Sequence, residues 1–113
     1  MGMDADVIGI GKFSSDTAHL LDYSPDFYSD TKEGADVITT VFLAGTSDQS
    51  HQLARAMGVD PWDFNTHKIN ASKVSVFELR KFVEYSPDHE EKDIDGFIQL
   101  VEKGFTFFYR PNG

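Results

Sequence analysis

Asp36-Val37-Ile38-Thr39-Thr40-Val41-Phe42-Leu43-Ala44 marks the chain as one built on a β-sheet. β-Branched and aromatic residues follow one another with no Gly or Pro between them, so the segment reads as a strand. Apolar side chains fall on both faces of its two-residue period. That pattern predicts a central strand covered on both sides.

Two more strands can be read outward from it. Residues 5–11 place Asp6, Ile8 and Ile10 on one face, and Ala5, Val7, Gly9 and Gly11 on the other. Residues 105–110 (Phe-Thr-Phe-Phe-Tyr-Arg) are rich in the aromatic and β-branched side chains that pleated sheets favour. A short fourth strand is expected at an edge around Ile69, over residues 67–71.

Helix starts are marked by their caps. Thr46 with Gln49, and Ser75 with Glu78, each have the spacing of a capping box. The first predicts a helix to Met57, closed by Gly58, and the second a helix to about Tyr85. Asp60-Pro61 places a cap residue and a proline at a first helical position, predicting a short helix from Pro61 to Thr66. Ser86-Pro87 does the same for a helix in which Ile94, Phe97, Ile98 and Val101 follow i, i+3, i+4, i+7 spacing, ended by Gly104. Shorter helices are expected at 15–23 and 25–29. The sum is an α/β (mixed α+β) domain: a small three- to four-stranded sheet with five or six short helices packed on it. Residues 1–113 are expected to form a single globular domain, with strands 36–44 and 105–110 in the middle. The core is expected to hold Val41, Phe42, Leu79, Phe82, Phe97, Ile98, Val101 and Phe107.

One internal echo is present. Leu20-Leu21-Asp22-Tyr23-Ser24-Pro25-Asp26 matches Phe82-Val83-Glu84-Tyr85-Ser86-Pro87-Asp88, with an apolar helix end, Tyr, a Ser cap and Pro in the same order. A convergent helix–helix corner explains it residue by residue; an old duplication is the alternative.

Composition excludes several chemistries. The chain has 113 residues and no Cys, which removes disulfides, thiolate metal sites and Cys nucleophiles together. No apolar run reaches the roughly 18 residues of a membrane span. The first six residues lack the basic patch and apolar core of a secretory signal, and Asp6 stands where a myristoylation motif at Gly2 wants Ser or Thr. A cytoplasmic location is expected. The net charge of −9 argues against an electrostatically driven nucleic-acid binder. That charge is uneven: residues 1–36 carry eight acids and two bases, 37–83 four and five, and 84–113 seven and three. The densest acids are Glu84, Asp88, Glu90, Glu91, Asp93 and Asp95. They read either as a solvated helix face or as a surface for a basic partner.

Three motifs carry candidate chemistry. Gly9, Gly11, Lys12 and Ser14 lie where a strand could hand over to a helix, the place for a phosphate cradle. Ser14 replaces the third glycine of a dinucleotide fingerprint, and Phe13 breaks a P-loop ending. The two glycines can equally make room for a packed helix or aromatic. Residues 91–102 resemble a calcium loop at Asp93, Asp95, Gly96, Ile98 and Glu102, but Glu91 stands at its first position and 94–101 keep helical periodicity. His19, His51, His67 and His89 are scattered, and no Ser sits in a nucleophile elbow. Trp62 and Phe64 read as core over the sheet edge or, if exposed, as the anchor of a protein-binding patch.

The residues carry no family signature. The expectation is a non-catalytic acidic protein-interaction module of the inhibitor or adaptor type, binding a basic or partly apolar protein surface. Its contact residues would be Trp62, Phe64, Glu90, Glu91, Asp93 and Asp95. The alternative is a small-ligand or ion-binding domain using Gly9–Ser14 for phosphate, or Asp93, Asp95 and Glu102 for calcium. An enzyme assembled from scattered carboxylates and histidines ranks third. No cofactor is expected.

Overall fold

The structure, a computed structural model, describes residues 4–112; Gly2 lies outside them. Strands β1 (Asp4–Lys12), β2 (Asp36–Ala44), β3 (His67–Lys68) and β4 (Thr106–Asn112) form one sheet in the order β2-β1-β4-β3. Every neighbouring pair is antiparallel. Helices α1 (Ser47–Ala56), α2 (Val76–Glu84) and α3 (Glu91–Glu102) complete the mixed α+β architecture. The α-helices number three among the described residues, not five or six. The other expected helices shrink to 3₁₀ turns at Ala18–Leu20 and Pro25–Tyr28, with a third at Ala71–Lys73.

The strand at 36–44 forms where expected but lies at the edge, and β1 takes the middle with β4. Its apolar residues on two faces do not mean two covers. Phe42 and Ala44 point into the core, whereas Ile38 and Leu43 stand 63% and 59% exposed on the opposite face. A bulge between Val7 and Ile8 leaves Val41 as an extra residue, which shifts the alternation part-way along β2. β3 is the other edge and only two residues long.

Helices cover one face. Val7, Phe42, Phe107 and Tyr109 are buried there with Leu53, Leu79, Phe82, Ile94, Phe97 and Leu100 from the helices. The Tyr109 hydroxyl donates to the Ser50 carbonyl of α1, so this one polar atom is satisfied at depth. Of the expected core, Val41 and Val101 are only partly buried and Ile98 is exposed at 36%.

Both capping signals at α1 and α2 operate. The Thr46 Oγ1 accepts from the Gln49 N–H, and the Ser75 Oγ from the Glu78 N–H. Gly58 and Gly104, at φ +71° and +89°, end α1 and α3 as the sequence indicates. The Asp60-Pro61 signal forms no helix. Asp60 Oδ1 accepts from the Trp62 N–H, then Asp63 Oδ1 takes the Asn65 N–H, giving two successive side-chain turns that divert the backbone. Ser86-Pro87 likewise makes a turn, with the His89 N–H on the Ser86 carbonyl, and α3 starts at Glu91.

Gly9 and Gly11 on β1 face the aromatic rings of Phe107 and Phe105. A Cβ added at either would stand 2.5 Å from a ring carbon. Gly9→Ala should therefore destabilise by about 1–3 kcal/mol through forced displacement of Phe107. Gly96→Ala, in α3 with nothing nearer than Leu20 at 3.8 Å, should stabilise by about 0.5–1 kcal/mol. Denaturant midpoints of the two variants check the opposite signs.

Candidate functional site: an acidic cleft at the edge strand

The unpaired edge of β2 is the sheet's most consequential feature, because an open edge exposes backbone donors and acceptors. Here side chains occupy it. Asp22 Oδ2 accepts from the Thr40 N–H at 3.0 Å, and Thr39 Oγ1 accepts from the Asp22 N–H at 2.9 Å. Asp22 Oδ1 takes the Tyr28 hydroxyl at 2.9 Å. Further along, His89 Nε2 accepts from the Leu43 N–H at 3.0 Å. The same Nε2 stands 3.2 Å from the Leu43 carbonyl oxygen, so the ring meets the Leu43 N–H with a bare Nε2 or that carbonyl with a protonated one, while Nδ1 lies 3.2 Å from Asp93 Oδ2. The His89 ring is wedged against Phe42 and Phe82, with centroids at 5.6 and 5.5 Å.

Beside this clasped edge opens a cleft of about 850 Å³, bounded by residues 19–23, by β2 from Thr40 to Leu43, and by the approach to α3. Its rim carries Asp22, Asp88, Asp93 and Asp95 against the single cation Lys92. Leu20, Val41 and Phe97 add apolar surface. A second hollow of about 800 Å³ lies on the far side of Leu43 and shares Asp88 with the first. The arrangement suits a cationic, partly apolar group. Among the described residues no three His, Asp or Glu side chains come together as metal ligands.

The expected site residues are dispersed. Asp93 and Asp95 reach the cleft, but Asp93 also serves the fold, accepting from the Glu90 N–H at 2.9 Å. Glu91 turns away to pair with Arg80 at 2.9 Å, and Glu90 pairs with Lys92 at 3.1 Å. Trp62 and Phe64 are 71% and 61% exposed, not core, and Trp62 leans on His51 with centroids 4.7 Å apart. Neither lines the cleft. His67 stands 2.9 Å from Asp63, a contact whose angles give Nε2 no hydrogen bond.

The ligand motifs also take definite places. Gly9 and Gly11 lie within β1 beneath aromatic rings, Lys12 pairs with Asp36, and Ser14 Oγ accepts from the Asp16 N–H. The chain runs from there into a loop rather than a helix N-terminus. Residues 91–102 are one continuous α-helix, which separates Asp93 from Glu102 by about 13 Å along the axis.

Asp22 and Asp88 were missed as cleft residues, although a signal existed. They belong to the two echoing segments, 20–26 and 82–88, and those segments bring them to the lining of one cleft. Matches to this chain are absent among protein families, curated proteins and solved structures alike.

Burial, then the hydrogen bond to Asp22, pushes the Tyr28 hydroxyl up from 10.0 to about 12, and burial alone does the same for Tyr109. Raised values favour the protonated, folded form. Their stabilisation is complete below pH 10 and disappears as pH climbs toward 12. Urea midpoints across that range should fall, and Tyr28→Phe should flatten the slope. His89→Ala, which strips an acceptor from Leu43 and a ring from Phe42 and Phe82, should cost roughly 2 kcal/mol. An unchanged midpoint would refute the clasp.

Proposed function

We propose that this protein is a non-catalytic interaction module that receives a basic, partly apolar segment of another protein in the cleft beside β2. The observation that carries this reading is the charge imbalance of the cleft rim: four carboxylates face one lysine around an apolar floor. A lysine or arginine side chain fits such a rim, with its aliphatic stem against Leu20 and Val41 and its charge near Asp22, Asp88 or Asp95. His89 supports the non-catalytic side of the reading. Both its ring nitrogens are engaged, Nε2 by Leu43 and Nδ1 by Asp93, which leaves no free base aimed into the cleft. The acid run from 84 to 95 is reduced accordingly. Glu90 and Glu91 hold helix ends and neighbouring cations, so Asp88 and Asp95 become the contact residues.

A second reading has its own observation. Trp62 and Phe64 are exposed next to His51, and exposed Trp is over-represented among residues that dominate interfaces. The two readings differ in salt response, since an aromatic anchor is indifferent to screening and a carboxylate rim is not.

Affinity capture with the wild-type chain and with Asp88→Lys/Asp95→Lys distinguishes them. The expected partner is retained at about 50 mM salt, is lost near 500 mM, and is not captured by the reversed variant. Capture that survives both salt and charge reversal but fails with Trp62→Ala would transfer the interaction to the aromatic patch. Retention by all three baits would defeat both.

A further inference from the structure

The face of the sheet opposite the helices is uncovered, and it is not the polar face that a solvated antiparallel sheet ordinarily shows. Ile8, Ile10 and Phe108 lie side by side on β1 and β4, with Ile38 and Leu43 on β2 and with Thr40 and Thr106 interspersed. Ile38 and Leu43 are more than half exposed and Ile10 is 37% exposed, whereas Ile8 is buried at 8%. Ion pairs close the apolar band at each end. Arg110 grips Asp6 with two bonds of 2.8 and 2.7 Å, and Lys12 pairs with Asp36. Counting Asp4 and Lys68, which register places on the same face, three acids meet three bases. The face is neutral, and the whole charge of −9 lies elsewhere on the molecule.

We propose that this face docks against the same face of a second copy of the chain. Two molecules of charge −9 repel each other at long range, and this neutral face brings them together without setting charges of one sign against each other. The face is also self-complementary. A two-fold axis across the strands lays apolar band on apolar band and sets Lys12 of one copy over Asp6 of the other, the geometry of an isologous dimer. Three strands at about 4.8 Å spacing and roughly six residues of length, with the two-residue β3 beside them, give on the order of 300 Å² per copy, about 600–700 Å² in all. That is below the roughly 1,000 Å² of stable specific interfaces, so the dimer is weak, transient and dependent on concentration.

Sedimentation velocity on the full chain tests this independently of the acidic cleft. The weight-average mass should rise from 12.7 kDa toward twice that between about 10 μM and about 1 mM protein. The rise should be larger at about 500 mM than at about 50 mM salt, because screening removes the repulsion between the two −9 charges. Ile38→Asn, alone and with Ile10→Asn, should keep the protein at 12.7 kDa with an unchanged circular dichroism spectrum. Asp88→Lys/Asp95→Lys should leave the association intact. A mass of 12.7 kDa at every concentration and both salts overturns the proposal. So does an association that Ile38→Asn does not weaken, or one that salt dissolves. A different protein that loses binding on Ile38→Asn, with the chain itself monomeric, would assign the face to that protein instead.

Discussion

The packing of Phe105 and Phe107 onto Gly11 and Gly9 is the contact from which the rest of the architecture follows. Two missing Cβ atoms on β1 let two rings lie close against the sheet. Phe107 then stacks edge-on with Phe97 of α3 at 4.8 Å, and Phe97 meets Phe42 at 5.7 Å. Phe42 in turn contacts Phe82 of α2 at 5.9 Å. One chain of rings therefore ties β4, α3, β2 and α2 together across the covered face. Each ring buries a large apolar area and holds a definite angle to its neighbour, so the helices have little freedom to slide. Glycine is required on β1 for a steric reason, and a phosphate has no part in that explanation.

This one-sided packing also explains what could and could not be read from the residues. The caps of α1 and α2 were legible because each depends on a side chain bonding a backbone group three residues away. The positions of β1, β2 and β4 were legible from local composition. The sheet order was not, since Ile38 and Leu43 look like core residues until one knows that no helix lies over them. The predicted helix at Pro61 failed for a local reason as well. Asp60 and Asp63 bond backbone groups two residues on, and each such turn competes with the helix that the proline permits. Of the site, the acidity of the region was plain in the chain, but which carboxylates remain free for a partner was not. Glu90, Glu91 and Asp93 find partners within the fold, and so does Asp22, which enters the cleft from a segment more than sixty residues earlier with its carboxylate on the Thr40 N–H and the Tyr28 hydroxyl.

Asp22 and His89 do two things at once. By taking the N–H groups of Thr40 and Leu43, they close an edge that would otherwise recruit another strand. In holding those bonds they also stand at the border of the cleft, one on each side of the exposed stretch of β2. The echo between residues 20–26 and 82–88 acquires a mechanical sense from this placement. Both segments end a helical turn beside the same edge strand, and both carry an acid to it. Convergence suffices to explain the likeness, since the two do not adopt the same structure: Ser24-Pro25 opens a 3₁₀ helix, whereas Ser86-Pro87 makes only a turn.

The molecule is thus electrically two-sided. The sheet face pairs its acids with bases and leaves isoleucine, leucine and phenylalanine between them; the cleft collects carboxylates with one cation. Salt acts on these surfaces in opposite directions. Screening weakens attraction between a carboxylate rim and a basic segment, and it also weakens repulsion between two copies of a −9 chain. Under the two proposals, low ionic strength would favour the heterologous contact and high ionic strength the homologous one. Leu43 joins the two regions physically, because its side chain belongs to the open face while its N–H is held by His89 at the cleft. A partner that displaced His89 would free the Leu43 backbone at the border of the open sheet face.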